Sequence, residues 1–330
     1  MKALVYTATQ SLEYRDEPMG QPGPDESLVK VHAAGICGSD MHAWHGHDAR
    51  RIPPLILGHE LAGIVQEGSN RGERVAINPL ISCGACRHCL AAMPNLCASR
   101  DLIGLGQAGG FAEYVSVPTA NLLLLPATMS YVEASLTEPT AVSLHAIHLA
   151  ERIMHRSVSE CCALVIGGGA IGALAALILQ QKGVRELHIA ETSEQRRNTV
   201  ATLCHATIYD PKGEKVPQNG YFDLVIDAVG SGLTRAASSR LTRPGGVISH
   251  IGLQDNKEGL DTRHLTLQEI SFIGNYTYNQ TDFQAALNLL SSGALGSLEW
   301  IETRPLSEGA SAFMDIDKAN TAAPKIVLIP

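Results

Sequence analysis

Aromatic side chains make up only 5% of the 330 residues, and charged side chains only 18%. Hydrophobic residues reach 45%, which excludes wholesale disorder. Basic residues are outnumbered, 25 Lys and Arg against 33 Asp and Glu, for a net charge of −8. No basic surplus or stripe is available for a nucleic-acid partner. There is no internal repeat, low-complexity tract or long linker. No secretory h-region follows Met1, and the stretch Met1–Thr7 alternates like a strand. The longest apolar run, Ala163–Leu179, carries glycines at 167, 168, 169 and 172. A strand, a turn and a helix explain that run better than a membrane span does. The expectation is a cytoplasmic protein with no membrane contact. Cysteines are too few for a disulfide scaffold; five of the eight fall between Cys37 and Cys97. In a reducing compartment such a cluster points to metal ligands.

At roughly 150 residues per domain the length allows about two domains. Up to about Pro126, short runs such as Leu28–Val31, Leu61–Val65, Arg74–Ile77 and Phe111–Val115 alternate with Gly and Pro, the pattern of a β-rich domain. Strand and helix then alternate: Ala163–Ile166, Ala170–Lys182, Glu186–Ala190, Glu194–Cys204, Asp223–Asp227 and Gly246–Ile251. That rhythm predicts βαβ units and a doubly wound parallel sheet. A helix over Phe283–Ser291 and a strand over Lys325–Ile329 close the chain.

Gly167-Gly168-Gly169-Ala170-Ile171-Gly172 matches G-x-G-x-x-G between a predicted strand and an Ala/Leu-rich helix. Gly167 would make the turn, Gly169 would admit a pyrophosphate, and Gly172 would let helix and strand approach. The helix start at Ala170 and Ile171 offers free N–H groups to phosphate. Glu191 ends the next strand, where a carboxylate binds ribose hydroxyls and repels a 2′-phosphate; this favours NAD over NADP. Arg196 and Arg197 pull the other way. The plainer alternative is a glycine turn that only packs a helix.

Cys83, Cys86, Cys89 and Cys97 are spaced C-x2-C-x2-C-x7-C. Four thiolates close a tetrahedron around a structural zinc, with an iron–sulfur cluster as the chemical competitor. His88 lies inside this loop as a bystander. A second set comprises Cys37 and Gly58-His59-Glu60, with Glu138 downstream. Three protein ligands and an open position describe a catalytic zinc, and Asp40 is a candidate to orient the His59 ring. Taken singly, each of these residues is also an ordinary buried side chain.

Together, Gly35-Ile36-Cys37-Gly38-Ser39-Asp40, Gly58-His59-Glu60, the four-cysteine loop, Thr137-Glu138-Pro139 and Gly167–Gly172 resemble the zinc-dependent medium-chain dehydrogenase/reductase (alcohol dehydrogenase) superfamily. The polyol (sorbitol-type) dehydrogenase branch is the most similar. The resemblance implies an α/β fold: a GroES-like, β-rich catalytic domain from residues 1–139 and 282–330, and a Rossmann domain from 140–281. It implies two zincs per chain: Cys37 and His59 as catalytic ligands, Glu60 as a ligand that comes and goes, and Glu138 as a direct or water-mediated one. Ser39 would bond the substrate hydroxyl, and His42 would end the proton path. The implied reaction is NAD-linked oxidation of a secondary alcohol of a polyol or sugar alcohol to a ketone, in a homodimer or homotetramer. The alternatives are simple alcohols, threonine-like amino acids, aminocyclitols or sugar derivatives as substrates, and a catalytically silent dinucleotide-binding protein. Trp44, Tyr276 and Tyr278 stand as pocket or core residues, and Lys325 as a cofactor contact or a solvated charge.

Overall fold

The computed structural model describes all 330 residues. Two large sheets organise them, beside smaller sheets of three and two strands. In the first, strands run in the order Leu122–Leu124, Arg74–Ile77, Glu60–Glu67, Glu26–Gly35, Lys325–Ile329 and Ile301–Pro305, and Tyr114–Pro118 also pairs with Glu26–Gly35. The last strand therefore returns to the middle of the first sheet. It lies antiparallel to Glu26–Gly35, with Val327 opposite Gly35 and Leu328 opposite Ala34. Leu4, Val31, Phe111, Phe313 and Leu328 share the core of this part.

The second sheet is parallel throughout, in the order Thr207–Tyr209, Glu186–Ala190, Cys162–Ile166, Phe222–Asp227, Thr242–His250 and Ser271–Gly274. Strand order reverses beside Cys162–Ile166, and ligands bind at such a switch point. Every residue of Cys162–Ile166 is buried, as expected for a parallel strand covered on both faces. The helix Ala170–Gln181 follows the glycine turn and buries Leu174, Ala175, Ile178 and Leu179 completely.

The helix Thr137–Glu151 joins the two parts, starting at the metal set and running into the second core. Phe283 and Leu287 of the helix Gln280–Ser291 enter that same core, whereas Ile301–Pro305 and Lys325–Ile329 rejoin the first sheet.

Several boundaries differ from the sequence expectation, such as the strand expected over Gly246–Ile251, which runs Thr242–His250; three of the differences have a local reason. The helix beginning at Glu194 stops at Val200 rather than Cys204. Thr202 Oγ1 donates to Thr199 O at 2.7 Å, a side-chain bond that competes with helix continuation. The strand expected from Phe111 starts at Tyr114, because the Phe111 backbone bonds to Leu57 and Leu4 instead. The last long helix starts at Gln280, three residues early, because Asn279 Oδ1 accepts the Asp282 N–H at 2.9 Å and caps it. No helix is long and apolar enough to cross a membrane.

Candidate active site

The set of Cys37, His59 and Glu60 is assembled from two paired strands and one short helix. Gly35 lies opposite Glu60 in the antiparallel pair Glu26–Gly35/Glu60–Glu67. Cys37 follows two residues later, just before the helix Gly38–Trp44, and the sheet register thus carries it to His59 and Glu60. Ligand atoms of Cys37, His59 and Glu60 all lie within 4.8 Å of one another, with His59 and Glu60 buried. A thiol, an imidazole and a carboxylate gathered in this way fit zinc. Asp40 links two of the elements: its Oδ2 accepts the Cys37 N–H at 3.0 Å, and its Oδ1 lies 3.4 Å from His59 Nδ1. The other ring nitrogen, Nε2, is 3.4 Å from Ser39 Oγ.

The electrostatics of this set favour positive charge. Burial opposes a charged His59, yet Asp40 and Cys37 outweigh it and hold the ring well above its ordinary value. Burial pushes the Glu138 carboxyl up to about 7 against the pull of His59, with Glu60 adding to the rise. Glu138 is near but outside the compact trio of ligand atoms. Tyr278, wholly buried, is held well above its ordinary value by burial and by Glu138 beside it. His42 is half-buried, and burial together with His47 and His45 lowers its basicity.

Lys325 corrects the sequence reading. It is neither a cofactor contact nor a solvated charge: it is 2% exposed, and its Nζ donates to Ile36 O at 2.8 Å and to Glu60 Oε1 and Oε2 at 2.7 and 2.5 Å. Glu60 is thus shared between the metal set and a buried lysine, an arrangement suited to a carboxylate with two alternative partners. The one charge opening the apolar run Ile326–Ile329 was the signal available in the sequence. Trp44 and Tyr278 are core residues, and Tyr276 stacks under Arg100, whose guanidinium carbon is 4.6 Å from the ring centre. His42, His45 and His47 form no metal cluster with other ligands.

The four-cysteine loop is a separate structure on the surface. Its sulfur atoms lie 3.5 Å apart for Cys86–Cys89 and Cys97–Cys83, and 3.9 Å apart for Cys83–Cys89. A tetrahedron with Zn–S bonds of about 2.3 Å has edges of about 3.8 Å, so the four sulfurs already stand at zinc-binding separations.

At the switch point of the parallel sheet, Gly167 has φ +100°, a conformation that favours glycine. A Cβ on Gly172 would sit 1.8 Å from Gly167 O, so the helix can start this close to the strand only with glycine there. Glu191 is buried and braces the turn: Oε2 accepts the Gly168 N–H and Oε1 the Ser193 N–H, both at 2.7 Å. Arg196 Nη1 is 3.8 Å from Glu191 Oε2. A cavity of about 1160 Å³ opens here, with Gly167, Glu191, Thr192, Ser231 and Thr234 in its wall. Gly169, Ala170, Ile171, Gly172 and Arg196 lie outside that wall.

A GroES-like metal-carrying domain beside a dinucleotide-type α/β domain defines a zinc-type oxidoreductase. Residues 23–127 match the alcohol dehydrogenase GroES-like domain, and residues 170–292 match the zinc-binding dehydrogenase domain. L-galactonate-5-dehydrogenase of Escherichia coli (strain K12) is 32% identical, over 89% of this chain and 88% of that protein. D-arabitol-phosphate dehydrogenase of Enterococcus avium is 33% identical, over 90% and 88%. A zinc-binding dehydrogenase structure from Sinorhizobium meliloti 1021, bound to NADP, superposes with a TM-score of 0.87 at 30% identity, covering 100% of this chain and 99% of that one. The chain belongs to the zinc-binding alcohol dehydrogenase family and is an enzyme of that class, using zinc and a nicotinamide cofactor on a small alcohol substrate.

Proposed function

We propose that this protein oxidises a secondary alcohol of a polyol or sugar-derived substrate to a ketone, with NAD as cofactor. The gathering of Cys37, His59 and Glu60 beside the Ser39 hydroxyl carries this reading. Cys37 and His59 would hold the zinc, and Glu60 would alternate between it and Lys325. When bound, zinc supplies Lewis-acid activation of the alcohol oxygen and the nicotinamide accepts hydride. Ser39 Oγ takes the substrate hydroxyl proton. His42, three residues on in the same helix and lowered in basicity by burial, stands neutral near neutral pH and can receive it. Asp40 orients the His59 ring.

A second zinc would bind Cys83, Cys86, Cys89 and Cys97 in a structural role. NAD is favoured over NADP because a buried carboxylate at Glu191 repels a 2′-phosphate, even though the Sinorhizobium meliloti relative is bound to NADP. The domain division is placed at 1–139 with 282–330 and at 140–281, and the assembly is a homodimer or homotetramer. Both curated relatives carry sugar acid or sugar phosphate names, so polyols, aldonates and polyol phosphates form the substrate series to test. NADH absorbance at 340 nm across that series, with threonine and simple alcohols as controls, should give turnover on a sugar-derived substrate. Turnover on none of the series despite bound zinc and NAD would reject the reading.

A further inference from the structure

Arg51 stands in the loop between the helix Gly38–Trp44 and the short strand Leu55–Ile56, in no motif, yet it is only 4% exposed. Four of its five N–H groups are engaged. Nε donates to Gly104 O at 3.0 Å. Nη1 donates to Ser39 O at 3.2 Å and to Asp48 Oδ2 at 2.8 Å. Nη2 donates to Ser39 Oγ at 3.3 Å. Thus one planar cation grips both the main-chain carbonyl and the hydroxyl of the same serine.

A guanidinium has donors only and stays charged, whereas a serine hydroxyl has one proton and two lone pairs. Arg51 must therefore occupy one lone pair of Ser39 Oγ. The other lone pair and the single proton are left for the remaining neighbours, on the side where His59 Nε2 lies at 3.4 Å. Asp48 does not cancel the charge on Arg51, because it also accepts from Arg50 Nε at 2.8 Å and Nη2 at 2.9 Å. One carboxylate thus serves two arginines, the buried Arg51 and the exposed Arg50.

We propose that Arg51 is a positioning residue for alcohol oxidation, whose buried guanidinium fixes the rotamer and the free lone pair of the Ser39 hydroxyl. The inference rests on the reading of Ser39 as the acceptor of the substrate proton. Arg51 itself is too deeply buried to meet substrate, so its whole effect passes through Ser39. Lysine keeps the charge but lacks the fork that reaches two atoms of Ser39 at once.

The test is a cycle of the zinc-loaded enzyme, Arg51→Lys, Ser39→Ala and the double variant, each measured for kcat, KM, melting temperature and zinc content. A charged hydrogen bond of this kind predicts a kcat loss of about 10- to 100-fold for Arg51→Lys, with KM and zinc content held. In the Ser39→Ala background the same change should alter kcat by less than about twofold, because the group it acts through is gone. Wild-type kcat in Arg51→Lys overturns the proposal. So does an equal loss in both backgrounds, or a lowered melting temperature with unchanged kcat per folded molecule, since each marks a merely structural arginine. Full activity in Ser39→Ala alone would instead overturn the underlying reading of Ser39, and this inference with it.

Discussion

The two cysteine regions of this molecule are built in opposite ways. Cys83, Cys86, Cys89 and Cys97 lie within fifteen residues of chain, on a loop whose first cysteine is exposed. Local backbone geometry brings their sulfurs to within 3.9 Å in each close pair. Cys37, His59, Glu60 and Lys325 span most of the chain and meet only because three strands pair in register. The first site needs only its own loop, the second the whole catalytic part of the fold. A surface tetrahedron of thiolates is closed and suits a structural ion. The interior set is mixed, buried and rich in groups with altered protonation, as catalytic sites are.

The largest expected separation between the regions is in activity. Cys37→Ser should lower kcat/KM by at least about 1000-fold, roughly 4 kcal/mol, with the melting temperature nearly unchanged. Cys86→Ser should do the reverse, lowering the melting temperature by several degrees while active-site-titrated kcat stays within a few-fold. Interchanged outcomes would erase the division of labour.

Lys325→Met tests whether the interior set depends on long-range pairing. It leaves Glu60 buried without its cation, and breaking a buried pair in this way costs about 3–5 kcal/mol. Urea denaturation should report that loss; a change below about 1 kcal/mol would mean that Glu60 finds another partner.

A smaller effect concerns the contact between the helices Thr137–Glu151 and Gln280–Ser291, which share the second core. Asp282 lies between His145 Nδ1, 2.5 Å from Oδ2, and His148 Nδ1, 2.8 Å from Oδ1. Burial opposes its ionisation, but the two histidines outweigh burial and hold its carboxyl below the ordinary range. Its contribution is therefore complete above the unfolded value near about 3.9 and fades as pH falls below it. Asp282→Asn should cost about 1–3 kcal/mol at pH 7 and flatten the decline in stability between pH 5 and pH 2, followed by thermal melts. An unchanged acid slope would show that other carboxylates govern it.

The smallest change is in cofactor choice. Glu191→Ala should narrow the NAD-over-NADP ratio of kcat/KM by about tenfold, the scale of one charged contact. No change would mean that Glu191 serves only to brace Gly168.

What could be read beforehand follows the same divide. The glycine turn, the four-cysteine loop and the alternation of strand and helix are local patterns, and their physical reasons lie within a few neighbouring residues. The sequence also marked Cys37, His59 and Glu60 through short motifs. Other buried polar links were invisible: Arg51, which bonds Ser39, sits in a polar stretch between two prolines and another arginine, and Asp282, which bonds His145 and His148, shows only as an acid in the first turn of a helix. Their roles arise from hydrogen bonds to residues 12 and 134–137 positions away. Lys325 reads locally as a solvated charge or a cofactor contact, because nothing local says which face of a terminal strand meets Glu60.

The central claim is that the interior set, and not the cysteine loop, holds the catalytic zinc. Native mass spectrometry of the wild type and His59→Ala, on the same samples used for NADH-formation assays, tests it most directly. Two zincs per wild-type chain, with one zinc and no turnover in His59→Ala, is the predicted result. Two zincs retained by an inactive His59→Ala, or undiminished turnover with one zinc, would contradict it.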